Sequence, residues 1–291
     1  MKVCPACAAR FSGAGWTCPE CGKTPRSQDG VVLLAPELAA GDGSDADYEL
    51  PELRAAEGFH FWFRARRELV LWAMRRYFAG AESFFEIGCG TGYVLAGIRD
   101  ALPGLRLAAS DLLLESLSRA RERLPGVPLL QMDVRRATFE EEFDLLGAFD
   151  VIEHVDEDRV VLRQMANALR PGGGLLLTVP QHAWLWNPFD EFSCHRRRYA
   201  RADLVAKLRD AGFEVLRATS FFAWALPLLL IRARFPRSPY DPAAELRIGR
   251  LANAACDAAA RLERRLIRWG ISFPLGGSLL LVARKAAPVA P

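Results

Sequence analysis

Short apolar runs alternate along the chain with longer stretches in which apolar residues recur at helical spacing. The runs have the length of single strands and end in glycine, proline or an acid, whereas the stretches between them have the length of helices. This alternation is typical of an α/β fold. We predict strands at 84–87, 105–111, 129–134, 143–155 (a strand with its exit), 175–180, 213–219 and 277–285, and helices at 51–78 with a break at Gly58, from residue 93, at 160–169, at 202–211 and at about 242–269.

Glycines occupy every second position directly after the first of these strands, in the sequence Glu-Ile-Gly-Cys-Gly-Thr-Gly at 86–92. Glycine suits a turn whose backbone needs positive φ or a close approach to a ligand. The helix that follows adds free N–H groups and a partial positive charge at its N-terminus. The spacing differs from the dinucleotide pattern, and no Gly-Lys-Ser/Thr of a P-loop follows. Several classes of nucleotide-type ligand bind at such a turn, and the alternative is a structural turn in some other α/β domain.

Acidic residues end three successive predicted strands: Glu86, Asp111 and Asp133. Asp111 lies 19 residues beyond Gly92, which is the separation expected for strand, helix and next strand end. A carboxylate at that position can accept both hydroxyls of a ribose, as in dinucleotide-binding folds. One such acid alone is more often solvated or a helix cap, but three in succession favour a binding site.

The chain resembles the class I S-adenosylmethionine-dependent methyltransferases, in their ubiquinone-biosynthesis-like (type 11–12) branch. The resemblance rests on the glycine turn, the strand-end acids, the Glu-His-Val at 153–155 and the Leu-Arg-Pro-Gly-Gly at 169–173, which occur in the family's order. It implies a Rossmann-like mixed sheet of seven strands, six parallel and one antiparallel, with helices on both faces. It also implies S-adenosylmethionine as the cofactor, with Asp133 at the adenine amino group, the next residue on the ring and Phe149 beside the methionine part. The residues expected to bind the cofactor are Glu86, Gly88, Cys89, Gly90, Gly92, Asp111, Leu112, Asp133, Val134 and Phe149.

The helical stretch at 51–78 is unusually aromatic and basic between residues 57 and 67. In one interpretation this helix packs on the sheet and its arginines are solvated. In the other it caps the cofactor, with an aromatic wall and with Arg66, rather than Arg64, facing the methionine carboxylate.

The segment after Pro180 lies where open α/β sheets bind ligands and carries aromatic, imidazole and guanidinium groups. We expect the acceptor-side residues to be His182, Trp184, Asp190 and His195. The arginines at 196–198 are equally compatible with a solvated basic turn. His154 is the first candidate for a general base, because imidazole titrates near neutrality; the alternative is a histidine satisfied by backbone near the cofactor.

Four of the seven cysteines form two Cys-x-x-Cys pairs with ten residues between them. Four thiolates at this spacing are the ligand set of structural Zn²⁺, so we predict a site of Cys4, Cys7, Cys18 and Cys21. Ala8 and Gly22 follow the two pairs and suit tight turns. We place a zinc ribbon at 1–35, completed by a short strand at 29–34, then a flexible acidic linker at 36–50 and the methyltransferase domain at 51–291.

More than fifty residues separate the last two predicted strands, which a short turn usually joins in this family. This insertion, at about 221–275, contains an apolar run at 221–231, a proline-rich connector at 234–239 and an amphipathic helix. Its apolar residues are Leu246, Leu251, Leu262, Leu266 and Ile267, set against Arg247, Arg250, Arg261, Arg264, Arg265 and Arg268. It could pack on the domain or on a second subunit in a homodimer, close over a lipophilic acceptor, or attach shallowly to an anionic membrane through 221–270.

The formal net charge of +3 is small for 291 residues and makes nucleic acid an unlikely partner. We expect O- or N-methylation of a small-molecule or lipophilic acceptor, such as a quinone- or lipid-like phenol. The alternatives are a ribosomal RNA base methyltransferase and a non-catalytic cofactor-binding partner subunit. Since residues 1–5 show no signal-peptide core and the longest apolar run holds 11 residues, we expect a cytoplasmic protein, with the inner face of the membrane as an alternative location.

Overall fold

The computed structural model describes residues 1–40, 51–136, 138–235 and 239–286. Its strands are β1 Lys2–Val3, β2 Arg10–Phe11, β3 Ser27–Gln28, β4 Val31–Leu33, β5 Ser83–Ile87, β6 Arg106–Asp111, β7 Leu129–Gln131, β8 Phe143–Phe149, β9 Leu169–Pro180, β10 Phe213–Phe221 and β11 Ser278–Lys285. Its α-helices are α1 Pro51–Glu57, α2 Phe61–Tyr77, α3 Tyr93–Ala101, α4 Leu114–Arg123, α5 Asp158–Ala168, α6 Pro188–Phe192, α7 Arg201–Asp210, α8 Leu226–Arg234, α9 Pro242–Leu246 and α10 Arg250–Arg268.

Nine strands form the central sheet, in the order β10-β11-β9-β8-β5-β6-β7-β4-β3. The seven predicted strands are its members β5 to β11, and β11 runs antiparallel to both of its neighbours. The predicted Rossmann-like arrangement of six parallel strands and one antiparallel strand is therefore confirmed for β5 to β11, and β4 and β3 extend the sheet beyond the predicted seven strands. The glycine turn follows β5, so it lies at the carboxyl edge in the middle of the sheet.

Two apolar layers cover the two faces of this sheet, as the alternation of side chains along a strand requires. Phe84 belongs to the layer that packs against α2, α3, α4 and α10, whereas Phe85 belongs to the layer that packs against α5 and α7. Both rings are almost fully buried. Helices on both faces were predicted, and the structure has them.

The prediction that residues 29–34 complete a separate zinc ribbon is wrong. Strand β4 instead extends the central sheet, because it pairs in parallel with β7 through Val32 opposite Leu130 and Leu33 opposite Gln131. This pairing satisfies backbone groups that an edge strand would otherwise expose. Among the described residues, β1 and β2 form a two-stranded sheet of their own, and Trp16 packs it onto Phe139 with ring centroids 5.7 Å apart.

The linker predicted at 36–50 is described only in part. Residues 36–38 form one turn of 3-10 helix, and residues 41–50 lie outside the described residues. The predicted break near Gly58 is present, since α1 ends at Glu57 and α2 begins at Phe61 after an N-cap at His60.

The single helix predicted at about 242–269 is instead two helices, α9 and α10, with Gly249 extended at the start of α10. Helix α10 packs along α2. Its buried face is largely polar, contrary to the predicted apolar stripe: Arg264 is 4% exposed and paired with Glu68 at 2.6 Å, whereas Leu251 is 88% exposed. Ion pairs between α2 and α10 account for the difference, including Arg64 with Asp257 at 2.9 Å.

The insertion therefore packs on its own domain, through α10 and through α8. Part of the predicted connector, residues 236–238, lies outside the described residues. None of the described helices combines the length and the apolar character needed to cross a membrane.

Candidate functional site

The three glycines of the turn after β5 all have positive φ, at 66°, 52° and 74° for Gly88, Gly90 and Gly92. A Cβ on Gly88 would lie 2.5 Å from a methyl group of Val151, and a Cβ on Gly92 would lie 2.7 Å from a methyl group of Leu124. A Cβ on Gly90 would meet nothing within 4 Å. The outer glycines therefore allow close packing of the turn, and the middle glycine borders open space.

Asp111, at the end of β6, fixes this turn from the neighbouring strand. Its carboxylate accepts the backbone N–H of Gly90 at 2.8 Å and that of Leu113 at 3.1 Å, and the N–H of Cys89 donates to the carbonyl of Ser110 at 2.9 Å. Asp111 therefore ties the glycine turn to the loop that follows β6.

Helix α1 holds the turn from the other side, through residues that the sequence analysis did not single out. The Thr91 hydroxyl donates to Glu57, and Arg123 pairs with Glu57 at 2.8 Å and donates to the same hydroxyl at 2.9 Å. No local sequence signal connects these three residues, because they come from separate helices and a loop. Their network orients the turn before any ligand arrives.

Glu86 lies beneath the turn on β5 and is 2% exposed. One of its carboxylate oxygens, Oε2, is buried without a hydrogen-bond partner. Burial raises the pKa of Glu86 to about 8, with Asp111 adding to the rise and Arg66 opposing it. A cationic group of a ligand would give this buried acceptor the partner that it lacks.

Arg66, on α2, faces this acid and forms an ion pair with Asp150 at the exit of β8. Its guanidinium also stacks over Trp62, 4.4 Å from the ring centroid. Asp150 has φ of 58° and accepts the hydroxyl of Thr178 at 3.1 Å. Arg66 rather than Arg64 thus points to the predicted site, while Arg64 pairs with α10.

The predicted adenine-side residues lie at the ends of β6 and β7. Leu112 and Val134 are half-buried and Asp133 is buried. Asp133 is already paired with Arg135, whose Nε lies 2.9 and 3.1 Å from its two carboxylate oxygens, a partner that the sequence analysis missed. Phe149, 5% exposed, ends β8 on the opposite side of the turn.

His154 stays a candidate for the general base, but its surroundings make it a weak one. Removal from solvent, and secondly the neighbouring His195, lower the pKa of His154 to about 3. The two imidazoles meet edge to face, with centroids 4.8 Å apart. At neutral pH His154 is therefore an uncharged imidazole.

Asp190 anchors the acceptor-side loop and is fully buried. Its Oδ1 lies 2.8 Å from Nδ1 of His195 and accepts Nε of Arg198 at 2.8 Å. The predicted residues Asp190 and His195 are thus in contact with each other, but Asp190 caps α6 and orients its neighbours rather than facing open space.

Glu153 lies beside this cluster and is fully buried with neither carboxylate oxygen hydrogen-bonded. Burial raises the pKa of Glu153 well above its ordinary value, and Asp150 contributes to the rise. Ligand atoms of Glu153, His154 and His195 lie within 4.8 Å of one another, close enough to hold a metal ion. The sequence analysis quoted Glu153 only as part of a motif and assigned it no role.

His182 and Trp184 form a separate pair, stacked with ring centroids 4.8 Å apart. His182 has φ of 66°, and its Nε2 is buried without a partner. Burial lowers the pKa of His182, with Arg201 and Arg198 contributing. Trp184 is 48% exposed, so this pair lies at the rim of the loop.

The four N-terminal cysteines converge as predicted. Their sulfur atoms lie within 4.8 Å of one another, with Cys4 and Cys21 3.7 Å apart and Cys7 and Cys18 also 3.7 Å apart. Four sulfurs at Zn–S distances of about 2.3 Å around one Zn²⁺ would be separated by about 3.8 Å. The turns after the pairs have positive φ at Ala8 and Gly22, so the donor set and its spacing fit zinc.

Comparison with known proteins gives the same indication as the geometry. Residues 85–175 match the profile of a family described as a methyltransferase domain. A trans-aconitate 2-methyltransferase from Azoarcus sp. strain BH72 is 29% identical over 171 residues, which cover 59% of this chain and 63% of the relative. A malonyl-[acyl-carrier protein] O-methyltransferase from Anoxybacillus flavithermus is 28% identical over 108 residues, covering 36% of this chain and 42% of the relative. The chain thus spans less than two thirds of these relatives.

Solved structures agree on the fold. A putative methyltransferase of Haloferax volcanii, in complex with the Trm112 methyltransferase activator, has a TM-score of 0.55 at 19% identity, covering 82% of this chain and 94% of that one. Phosphoethanolamine N-methyltransferase 2 of Haemonchus contortus, bound to S-adenosyl-L-methionine, has a TM-score of 0.51 at 17% identity, covering 75% and 52%.

Proposed function

The chain belongs to the class I S-adenosylmethionine-dependent methyltransferases, and we propose that it transfers a methyl group to an oxygen of an anionic small-molecule acceptor. The observation that carries the proposal is the buried, unpartnered carboxyl oxygen Oε2 of Glu86 beneath a glycine turn that borders open space. The ammonium group of the donor's methionine part would favour the ionised form of this carboxyl and give it a partner, and the turn leaves clearance for the donor.

The remaining donor contacts follow from positions around the turn. Arg66 would hold the methionine carboxylate and Asp111 the ribose hydroxyls. Leu112, Asp133 and Val134 would enclose the adenine, with Cys89 at the turn and Phe149 near the sulfonium. The bound donor supplies an electrophilic methyl group on a sulfonium sulfur. The protein's own task is to align an acceptor oxygen with that methyl and to exclude water, an effect of about 7–11 kcal/mol where alignment is good.

The weak basicity of the two imidazoles in this part of the site favours an acceptor that needs no deprotonation. A phenol or alcohol must lose a proton early, yet the pKa of His154 is about 3 and burial also lowers that of His182. A carboxylate needs no deprotonation, and the unpartnered Nε2 of His182 could donate a hydrogen bond to it. The names of two relatives, a trans-aconitate and a malonyl-carrier-protein methyltransferase, support an acidic acceptor.

A lipophilic acceptor is the second candidate, because the insertion exposes apolar side chains. Leu228, Ile231 and Phe235 are 59%, 56% and 76% exposed on and just after α8. The same side chains would serve the peripheral membrane contact or the homodimer expected from the sequence, and both stay predictions.

We also propose that Cys4, Cys7, Cys18 and Cys21 hold a structural Zn²⁺. With four protein ligands the site would be closed, so its contribution would be to folding rather than to chemistry.

Methyl transfer from radiolabelled S-adenosylmethionine tests the acceptor class. We expect label in small di- and tricarboxylic acids, and a loss of rate in His182→Gln with the donor affinity unchanged. Transfer to lipophilic phenols and to no carboxylic acid would contradict the anionic acceptor and favour the second candidate.

A further inference from the structure

We infer that the N-terminal module, defined as residues 1–40, contributes to the affinity of the donor site. We further infer that Gln131 holds the donor loop, defined as residues 112–114, in position against this module. The inference rests on the proposed function, since it concerns the affinity of that same site. It assigns to the module a role beyond a closed zinc site.

Gln131 is fully buried at the end of β7, between the module and the donor site. Its side-chain Nε2 donates to the carbonyl of Leu112 at 2.9 Å, and its Oε1 accepts the N–H of Ala35 at 3.1 Å. Its own carbonyl accepts the N–H of Leu34 at 2.8 Å. One amide thus joins the module to the residue that follows Asp111.

The module holds the same loop at a second point. The N–H of Leu114 donates to the carbonyl of Ala39 at 3.0 Å. Leu112 and Leu114 are therefore both tied to residues 34–39, and Asp111 directly precedes them. Since Asp111 accepts N–H groups from the glycine turn and from Leu113, its position depends on how this loop is held.

The first cysteine turn also faces the donor site. A cavity of about 640 Å³ is lined on one side by the turn at 4–8 and on the other by Asp133. Glu37 of the module pairs across the cavity with Arg136 at 2.6 Å. A metal ion at the four cysteines would fix the cysteine turn at 4–8, which lines the cavity beside the predicted adenine position.

A buried amide that loses both hydrogen bonds leaves two backbone groups of the loop and the module without partners. Methionine matches glutamine in length and lacks both groups. We therefore expect Gln131→Met to weaken binding of S-adenosylhomocysteine about 10-fold. Removal of metal from the wild-type protein should weaken it in the same direction.

The test is calorimetric titration of S-adenosylhomocysteine into the full-length protein, Gln131→Met and the matched control Gln164→Met. Gln164 lies on α5 and lines a pocket with Val134, but none of the hydrogen bonds given above between the module and the loop after Asp111 involves it, so its substitution controls for the change from glutamine to methionine. We expect the affinity to fall in Gln131→Met alone, at a temperature where circular dichroism shows both variants folded. A merely structural role of Gln131 would lower the unfolding midpoint and leave the affinity unchanged.

The outcomes separate the two proposals. If the wild type does not bind S-adenosylhomocysteine, the proposed function fails. If the wild type binds and Gln131→Met binds equally well, the inference about the module fails alone. If Gln131→Met does not fold, removal of metal from the wild type by a chelator is the deciding experiment, with elemental analysis to confirm the loss of metal. An unchanged affinity for S-adenosylhomocysteine after that loss overturns the inference.

Discussion

Alanine substitutions at two glycines of the same turn should separate folding from ligand binding. At Gly88 an added Cβ would lie 2.5 and 3.0 Å from the two methyl groups of Val151, whereas carbon atoms in normal contact are about 3.5–4.0 Å apart. At Gly90 the same atom would meet no protein atom within 4 Å. Both positions have positive φ, so both alanine substitutions carry the same cost in backbone conformation. Only Gly88→Ala carries a packing cost in addition.

The magnitudes follow from these distances. Left-handed φ costs an alanine about 1–2 kcal/mol, and a forced contact in a packed interior adds about 1–3 kcal/mol. We expect Gly88→Ala to lower the free energy of unfolding by about 2–5 kcal/mol and Gly90→Ala by only about 1–2 kcal/mol. Gly90→Ala should nevertheless weaken S-adenosylhomocysteine binding at least about 10-fold, because its methyl group enters the space that the ligand needs.

Urea unfolding gives the first quantity and calorimetric titration the second. The reasoning about the turn would be refuted if Gly90→Ala bound S-adenosylhomocysteine as tightly as the wild type. It would equally be refuted if Gly88→Ala unfolded at the wild-type urea midpoint, since the contact with Val151 would then be relieved at no cost.

Three further predictions concern charge and metal. Because burial raises the pKa of Glu86 to about 8, the folded apo protein retains a proton that the unfolded chain releases near pH 4.5. The free energy of unfolding should therefore fall as the pH rises from about 5 to 8, and in Glu86→Gln this fall should be smaller by about 3 kcal/mol, as measured by urea unfolding. An equal pH dependence of the wild type and the variant would contradict this prediction. Asp190→Ala leaves the buried Arg198 unpaired and should cost about 3–5 kcal/mol in the same assay, whereas a loss below about 1 kcal/mol would contradict the anchoring role. Elemental analysis should find one zinc per chain in the wild type and none in Cys7→Ser, and a metal-free wild type that unfolds at an unchanged midpoint would contradict a structural site.

The fold could be predicted from the sequence because its central strands carry their signals locally. Each is a short apolar run with a glycine or an acid at its end, and the glycine turn marks the middle of the sheet. The pairing of β4 with β7 could not be predicted in this way. Its partners are separated by nearly a hundred residues, and a three-residue strand next to a cysteine ribbon looks the same whichever sheet it joins.

The donor side of the site was predictable for a similar reason, since Glu86 and Asp111 each follow from a position at a strand end. The acceptor side was not. The sequence shows that His154 is present, but its pKa depends on burial and on His195, which comes from another loop. The face of α10 was also misjudged, because an ion pair with α2 buries Arg264, which the sequence pattern places on the basic face opposite the apolar residues.

The measurement that tests the central claim most directly is calorimetric titration of S-adenosylhomocysteine into the wild-type protein and Asp111→Ala. We predict micromolar binding to the wild type and its loss in the variant, because the variant lacks both the ribose acceptor and the anchor of the Gly90 turn. No binding to folded, zinc-loaded wild type would contradict the methyltransferase function, and undiminished binding to Asp111→Ala would contradict the placement of the ribose.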